Sequence, residues 1–172
     1  MWCELGAELA LPDLVAVGDF LVHWRLPHTS IAALTSAVMR FPGRRGRAAL
    51  ATAITLLNDR AESPQESRLR VILVQGGLRE VVVNLRIATV EGFEYRADLA
   101  FPEAQVLLEY QGDHHRAREQ FRADMTRVSR LQAEGWQVIF INADDLRDPK
   151  ELLRRVRRLL APARTARLPN GH

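Results

Sequence analysis

Cysteine is almost absent from the 172-residue chain, with only Cys3 present. That excludes an internal disulfide and any multi-cysteine zinc site. His23 and His28 have only Cys3 as a third partner, which is too thin a set for zinc. Lysine is nearly missing too: of 24 basic residues, only Lys150 is not arginine. The planar fork of arginine suits phosphate and carboxylate, which favours a polyanionic partner. A GC-rich genome, favouring Arg and Ala codons, accounts for the same bias without any partner. No apolar run approaches the ~20 residues of a membrane-spanning helix. No basic n-region precedes an apolar stretch, so no secretion signal is expected. Gly43-Arg44-Arg45-Gly46-Arg47 lacks Walker spacing and its lysine, and there is no serine hydrolase elbow and no internal repeat. These absences predict a cytoplasmic protein with no membrane partner.

What is present points to a globular chain. Hydrophobic residues make up 47% and charged residues 26%, a folded rather than a disordered composition. The length fits one domain of ordinary size with a small appendage. The net charge of +3 is unevenly spread. Residues 1–40 carry two Arg against four acids, residues 41–115 nine against ten, and residues 116–172 thirteen basic residues against seven acids.

Residues 1–60 read as three short helices. Pro12-Asp13 opens one through Leu14, Val15, Val17, Phe20 and Leu21. Thr29 or Ser30 caps a second through Ile31, Leu34 and Val38, ending before Pro42. The third carries Leu50, Ile54, Leu56 and Leu57. With no evident catalytic residue, this unit is expected to pack or dock, either on a second copy or on a protein partner. The abrupt start at Met1-Trp2-Cys3, without a disordered leader, is also what a truncated form of a longer protein would show.

From Ser63 the pattern sharpens. Ser63, Pro64 and Glu66 form a capping box opening a helix that Gly76-Gly77 terminate. Glu80–Ala88 and Phe93–Phe101 read as strands joined by a turn at Glu91-Gly92. Gln105–Gln111 is a third strand, closed by Gly112. A helix follows from about Arg116 to Glu134, with Phe121, Met125, Val128 and Leu131 on one face. Trp136–Asn142 is nearly continuous apolar, as for a strand buried on both faces. Asp144 and Asp145 look like loop or capping residues. Asp148-Pro149 opens a last helix with Leu152, Leu153, Val156, Leu159 and Leu160 inward and Arg154, Arg155, Arg157 and Arg158 outward. Residues 162–172 read as an unstructured tail. The order α-β-β-β-α-β-α predicts an α/β domain over 61–161 with a central mixed sheet flanked by helices.

Strand parity suggests chemistry. Glu94, Arg96 and Asp98 would share one face of the second strand, and Gln105, Leu107, Glu109 and Gln111 one face of the third. Opposing Asp98 to Glu109 leaves Pro102–Gln105 as a four-residue hairpin loop. Like charges so placed are destabilising unless a cation joins them. Mg²⁺, which takes one or two carboxylates and keeps several waters, is one candidate. Neutralisation by Arg96 or another arginine, in an ordinary salt-bridge network, is the other.

These residues resemble the PD-(D/E)XK nuclease superfamily, restriction-endonuclease-like in fold, most closely the branch around the very short patch repair mismatch endonuclease. A set of uncharacterised actinobacterial proteins, some placed near abortive-infection antitoxins, looks similar. The likeness spans about Glu62–Leu160. It is carried by Glu66-Ser67-Arg68-Leu69-Arg70, by Arg96-Ala97-Asp98-Leu99, and by Glu109-Tyr110-Gln111-Gly112-Asp113-His114-His115-Arg116. It continues in Arg122-Ala123-Asp124 and in Leu131-Gln132-Ala133-Glu134-Gly135-Trp136-Gln137-Val138-Ile139. Residues 1–60 lie outside it and look like the connector that follows a winged-helix domain in longer relatives. The resemblance implies Mg²⁺ (or Mn²⁺) held by Asp98, Glu109 and the main-chain carbonyl of Tyr110, with DNA as substrate. Glu66 corresponds to the superfamily's first-helix glutamate, acting through a metal-bound water, as the capping residue, or as both.

One departure stands out. Gln111 occupies the place of the superfamily's motif lysine. Relatives in this branch also lack the lysine, and the mismatch endonuclease uses nearby histidines. His115, then His114, are the available proton acceptors near pH 7, unless they are plain surface residues. Arg116, Arg118 and Arg122, with Arg44, Arg45 and Arg47, are candidate phosphate contacts. Two functions are therefore expected to compete: a metal-dependent DNA endonuclease or nicking enzyme, and a nuclease fold reused as a nucleic-acid-binding or regulatory protein, antitoxin-related.

Overall fold

The computed structural model describes residues 1–112 and 118–161, and the backbone alone at 118–121. The expected tail over 162–172 lies outside the described residues. A four-residue helix α1 (Trp2–Leu5) is followed by α2 (Leu11–Val22), α3 (Ile31–Arg40) and α4 (Arg47–Leu56). Pro12 stands in the first turn of α2, where its missing N–H costs nothing. Ser30 caps α3, its Oγ accepting the Ala33 N–H at 3.1 Å. Gly46 precedes α4 at φ +78, and a Cβ there would lie 2.4–2.5 Å from the backbone of Gly6 and Ala7. Only glycine meets both demands. Phe20, one of the apolar residues that mark this helix, is 63% exposed. The inward stripe of α2 is instead Leu14, Val15, Gly18, Asp19 and Val22.

Helix α5 (Pro64–Gln75) lies between two layers. Its Val71 joins Trp2, Leu14, Val15, Val22 and Leu50 of the N-terminal helices. Its Leu69, Ile72 and Leu73 join Leu99, Val106, Leu108 and Ile141 of the sheet. Burial on both sides explains why the helix shows no clean amphipathic stripe.

The sheet has the order β1 (Val82–Ala88), β2 (Glu94–Phe101), β3 (Val106–Tyr110), β4 (Gln137–Ile141). The first two pairings are antiparallel and β3–β4 is parallel. Helix α6 (Arg118–Ala133) crosses between β3 and β4 and covers one face through Leu131, which packs with Leu107 and Ala100. On the other face lie α5 and α8 (Pro149–Leu160), the latter through Leu152 and Val156. The chain is thus a mixed α/β fold with a four-stranded mixed sheet flanked by helices.

Three expectations needed correction. Strand β4 is not buried on both faces: it ends the sheet, and Phe140 is 40% exposed while Ile141 is fully buried. A short helix, α7 (Ala143–Arg147), stands where a loop or cap was read. The capping reading itself holds, because Asn142 and Asp145 form a reciprocal capping box. On α6 the inward residues are Asp124, Arg127, Val128 and Leu131, whereas Met125 is 51% exposed. No helix among the described residues is long and apolar enough to cross a membrane.

Candidate metal centre

Register brings the two carboxylates together. Leu99 pairs with Leu108 and Phe101 with Val106, a register that leads on to Asp98 and Glu109 at the end of the pairing, and the charge of Asp98 acts on Glu109. Pro102–Ala104 form a single 3₁₀ turn, and Gln105, at φ +51, completes the four-residue connection. The Tyr110 N–H donates to Asp98 Oδ2 at 2.9 Å, tying the aspartate to β3 directly.

The parity expected around Asp98 is broken, however. Strict alternation would set Tyr95, Ala97, Leu99 and Phe101 on one face. Tyr95 and Ala97 instead pack with Leu131 of α6, while Leu99 and Phe101 pack with Leu69 and Leu73 of α5. Strand β1 steps out of phase at the same level: Val83 lies with the α5 layer, and Leu85 and Ile87 with the α6 layer. The residue at the step is Asn84, in the left-handed region at φ +53. It falls between the pairs Val83–Leu99 and Leu85–Ala97, opposite Asp98. Its side-chain amide donates to the Arg60 carbonyl. Irregular pairing of this kind re-aims side chains at sites. Here the Arg96 guanidinium binds Glu62, just before α5, through both terminal nitrogens, and its charge still reaches Asp98.

The arginine in contact with the pair is Arg127 rather than Arg96. Its Nη2 donates to Glu109 Oε1 at 2.5 Å and to the Arg96 carbonyl at 3.1 Å. Asp124, Arg127, Gln111 and Tyr110 line a cavity of about 40 Å³ with Glu109. A larger hollow of about 920 Å³, lined by Glu80, Glu103 and Arg158 among others, holds neither carboxylate of the pair.

Electrostatics mark the same place. Burial pushes Glu109 up to about 7, against the lowering effect of Arg127 and with repulsion from Asp98 added. Burial raises Asp98 as well, opposed by the Tyr110 N–H and by Arg127 and Arg96. Glu66 is raised by burial, partly offset by the Glu62 N–H, and also senses Asp98. Its carboxylate accepts the Ser63 hydroxyl at 2.8 Å and the Glu62 N–H at 3.0 Å, while Ser63 Oγ accepts the Glu66 N–H at 3.1 Å. The capping role is thus formed, beside the pair.

Gln111 continues the ladder, its N–H donating to the Ile141 carbonyl at 2.7 Å. His114, His115 and Arg116 lie outside the described residues, as does the side chain of Arg118. Arg122 is exposed on α6. Arg44, Arg45 and Arg47 are exposed beside α1, and Arg47 donates to the Phe41 carbonyl at 3.4 Å. No described contact joins that loop to the carboxylates. Arg127 is the residue that sequence reasoning missed, and Asp124, quoted only within the resemblance, was given no role. Their spacing to Val128 and Leu131 was the available signal, hidden because polar residues are not counted in an apolar stripe.

Chemically, the site offers hard oxygen donors in a mutually repelling pair, a set that fits Mg²⁺ or Mn²⁺. The adjoining cavity exceeds the room one water needs. Among the described residues, no three carboxylate, imidazole or thiol side chains converge as a metal cage. A two-carboxylate set completed by water is the ordinary Mg²⁺ arrangement.

No protein-family model matches the chain, and no solved structure matches it. It is 30% identical over 165 residues to uncharacterised proteins MT2308 and Rv2248, from two strains of Mycobacterium tuberculosis. Each match takes in 95% of this chain and 60% of the relative. The chain therefore spans about three-fifths of the length of the curated relatives it matches.

Proposed function

We propose that the chain is a metal-dependent DNA phosphodiesterase, an endonuclease or nicking enzyme with a PD-(D/E)XK-like core. One observation carries this reading: Asp98 and Glu109 stand side by side on the two central strands, Asp98 bonded to the Tyr110 N–H next to Glu109, and both are raised by burial. Retaining two desolvated like charges costs stability, and such sites are where function is sought. Asp98, Glu109 and the Tyr110 carbonyl would hold Mg²⁺ or Mn²⁺. When bound, the ion polarises the scissile phosphate and makes water nucleophilic at neutral pH. Glu66 fixes the start of α5 and adds a third carboxylate near the pair. Gln111 presents a neutral hydrogen-bonding group to the cavity beside Glu109. His115 is the residue proposed to take a proton, with His114 second. Arg116, Arg118 and Arg122 are proposed to bind the phosphate backbone.

Supercoiled plasmid with Mg²⁺ or Mn²⁺ should be nicked by the wild type and not by Asp98→Ala, with circular dichroism unchanged. Cleavage by both forms overturns the site. A second reading, a nuclease fold that binds DNA or a partner without cutting, is favoured by Arg127 already seated on Glu109. No cleavage of plasmid or mismatched duplex by either form, with DNA binding kept by Asp98→Ala, would select it.

A further inference from the structure

We propose that Arg127 is the resident counter-ion of the carboxylate pair, that a divalent metal must displace it, and that the released guanidinium then faces a phosphate. The inference rests on the metal reading above and goes beyond it, because it gives the site an order of events.

Arg127 reaches Glu109 Oε1 at 2.5 Å, which is hydrogen-bond contact with a charged donor and acceptor. Its charge also favours ionised Asp98. The other arginine near the pair, Arg96, is held by Glu62 and acts on Asp98 through its charge alone. A divalent ion binds carboxylate oxygen at about 2.0–2.1 Å. Ion and guanidinium therefore compete for Glu109 Oε1 and repel each other.

The arginine is placed so that it can leave. Its side chain is 30% exposed, and its guanidinium lies 6.0 Å from the centre of the Tyr95 ring, at the outer margin of a cation–π contact. Nη2 makes its second bond to a main-chain carbonyl, that of Arg96.

Charge then sets the order. With Arg127 in place, ionised Asp98 and Glu109 and the guanidinium sum to one negative charge, and Asp124 in the same cavity adds to it, which repels a DNA phosphate. With a divalent ion instead, the pair is neutral and Arg127 is a cation at the rim. Metal entry adds two positive charges to the site and lowers its repulsion of phosphate.

Titration calorimetry with Mn²⁺ on the full chain tests this, comparing wild type with Arg127→Met and Arg127→Lys. Arg127→Met should bind Mn²⁺ about tenfold more tightly or better, the equivalent of losing one charge-assisted hydrogen bond. Arg127→Lys should fall between, and it keeps the test alive if the methionine variant does not fold. At saturating Mn²⁺, on ice, Arg127→Met should bind a short duplex oligonucleotide more weakly than wild type, by fluorescence anisotropy. Equal or weaker metal affinity in both variants overturns the displacement and leaves the metal reading standing. Undiminished duplex affinity overturns the phosphate role. Absence of metal binding in all three proteins overturns this inference and the metal reading together.

Discussion

Burial sets the behaviour of Glu109, and it makes the site pH-sensitive in a definite direction. Its ordinary value is 4.5 and the folded chain raises it to about 7. As pH falls from 7 toward 4.5, the folded state therefore takes up the proton before the unfolded state does. The stability this group contributes is present in full below about 4.5 and is lost as pH rises through about 7, a swing of about 3 kcal/mol. Asp98, Glu66 and Asp19 are raised too and act in the same sense. Glu109→Gln removes the charge yet leaves an acceptor for Arg127. In metal-free buffer it should melt several degrees above wild type at pH 8, with the two curves converging near pH 4.5. A gap that does not close on acidification would show that the carboxylate is not desolvated as described. At this scale the juxtaposition of Asp98 and Glu109 was legible, because turn length fixes register. The role of Arg127 was not, since choosing among arginines needs the phase of α6 and the break in β2 parity at Asp98.

Among the elements, α5 carries the most legible signal and the least legible partner. Ser63, Pro64 and Glu66 announced its start, and Gly76 ends it as read. Nothing local announced that Arg70 and Ser67 would meet Asp19, some fifty residues earlier. Asp19 Oδ2 accepts the Ser67 hydroxyl at 2.7 Å and Arg70 Nη2 at 2.8 Å, while Oδ1 accepts the Asn58 N–H at 2.7 Å. Both charged residues are nearly inaccessible, Asp19 at 1% and Arg70 at 6%. Burial outweighs these bonds and raises Asp19, and Arg70 Nε has no hydrogen-bond partner among the described residues. Removing one member of such a pair strands the other, at a cost of about 3–5 kcal/mol. Asp19→Ala and Arg70→Ala should each lose that much in urea unfolding. Asp19→Leu combined with Arg70→Met should recover most of it, since an apolar pair needs no compensation. Single losses below about 1 kcal/mol would mean that water reaches the pair. The short helices α1 and α7 escaped notice for a simpler reason: four or five residues do not span enough turns to display a period.

On the scale of the whole molecule, the helical layer and the sheet layer share one helix. Val71 of α5 belongs to the core holding Trp2 and Leu14, and Leu69 and Leu73 belong to the core holding Leu99 and Leu108. The sequence suggested a unit over 1–60 followed by a separate α/β domain, a division drawn where composition and resemblance change. Packing runs across that line, and α2–α5 contact is among the most extensive between elements. Neither layer keeps a closed core without α5, so the two should unfold together. Tryptophan placement allows a direct check. Trp2 is buried in the N-terminal core, with its indole N–H on the Leu14 carbonyl at 3.0 Å. Trp136 packs against the α6 face of the sheet, and Trp24 is 53% exposed. With Trp24→Phe as background, adding Trp136→Phe leaves Trp2 as sole reporter, and adding Trp2→Phe leaves Trp136. In each protein the urea transition by fluorescence should coincide with that by far-ultraviolet circular dichroism. A Trp2 transition at clearly lower urea than the loss of helix would mean that the N-terminal helices detach first. In that case the Asp19–Arg70 contact would be a reversible joint, and the α5 face beneath it would be open to another occupant.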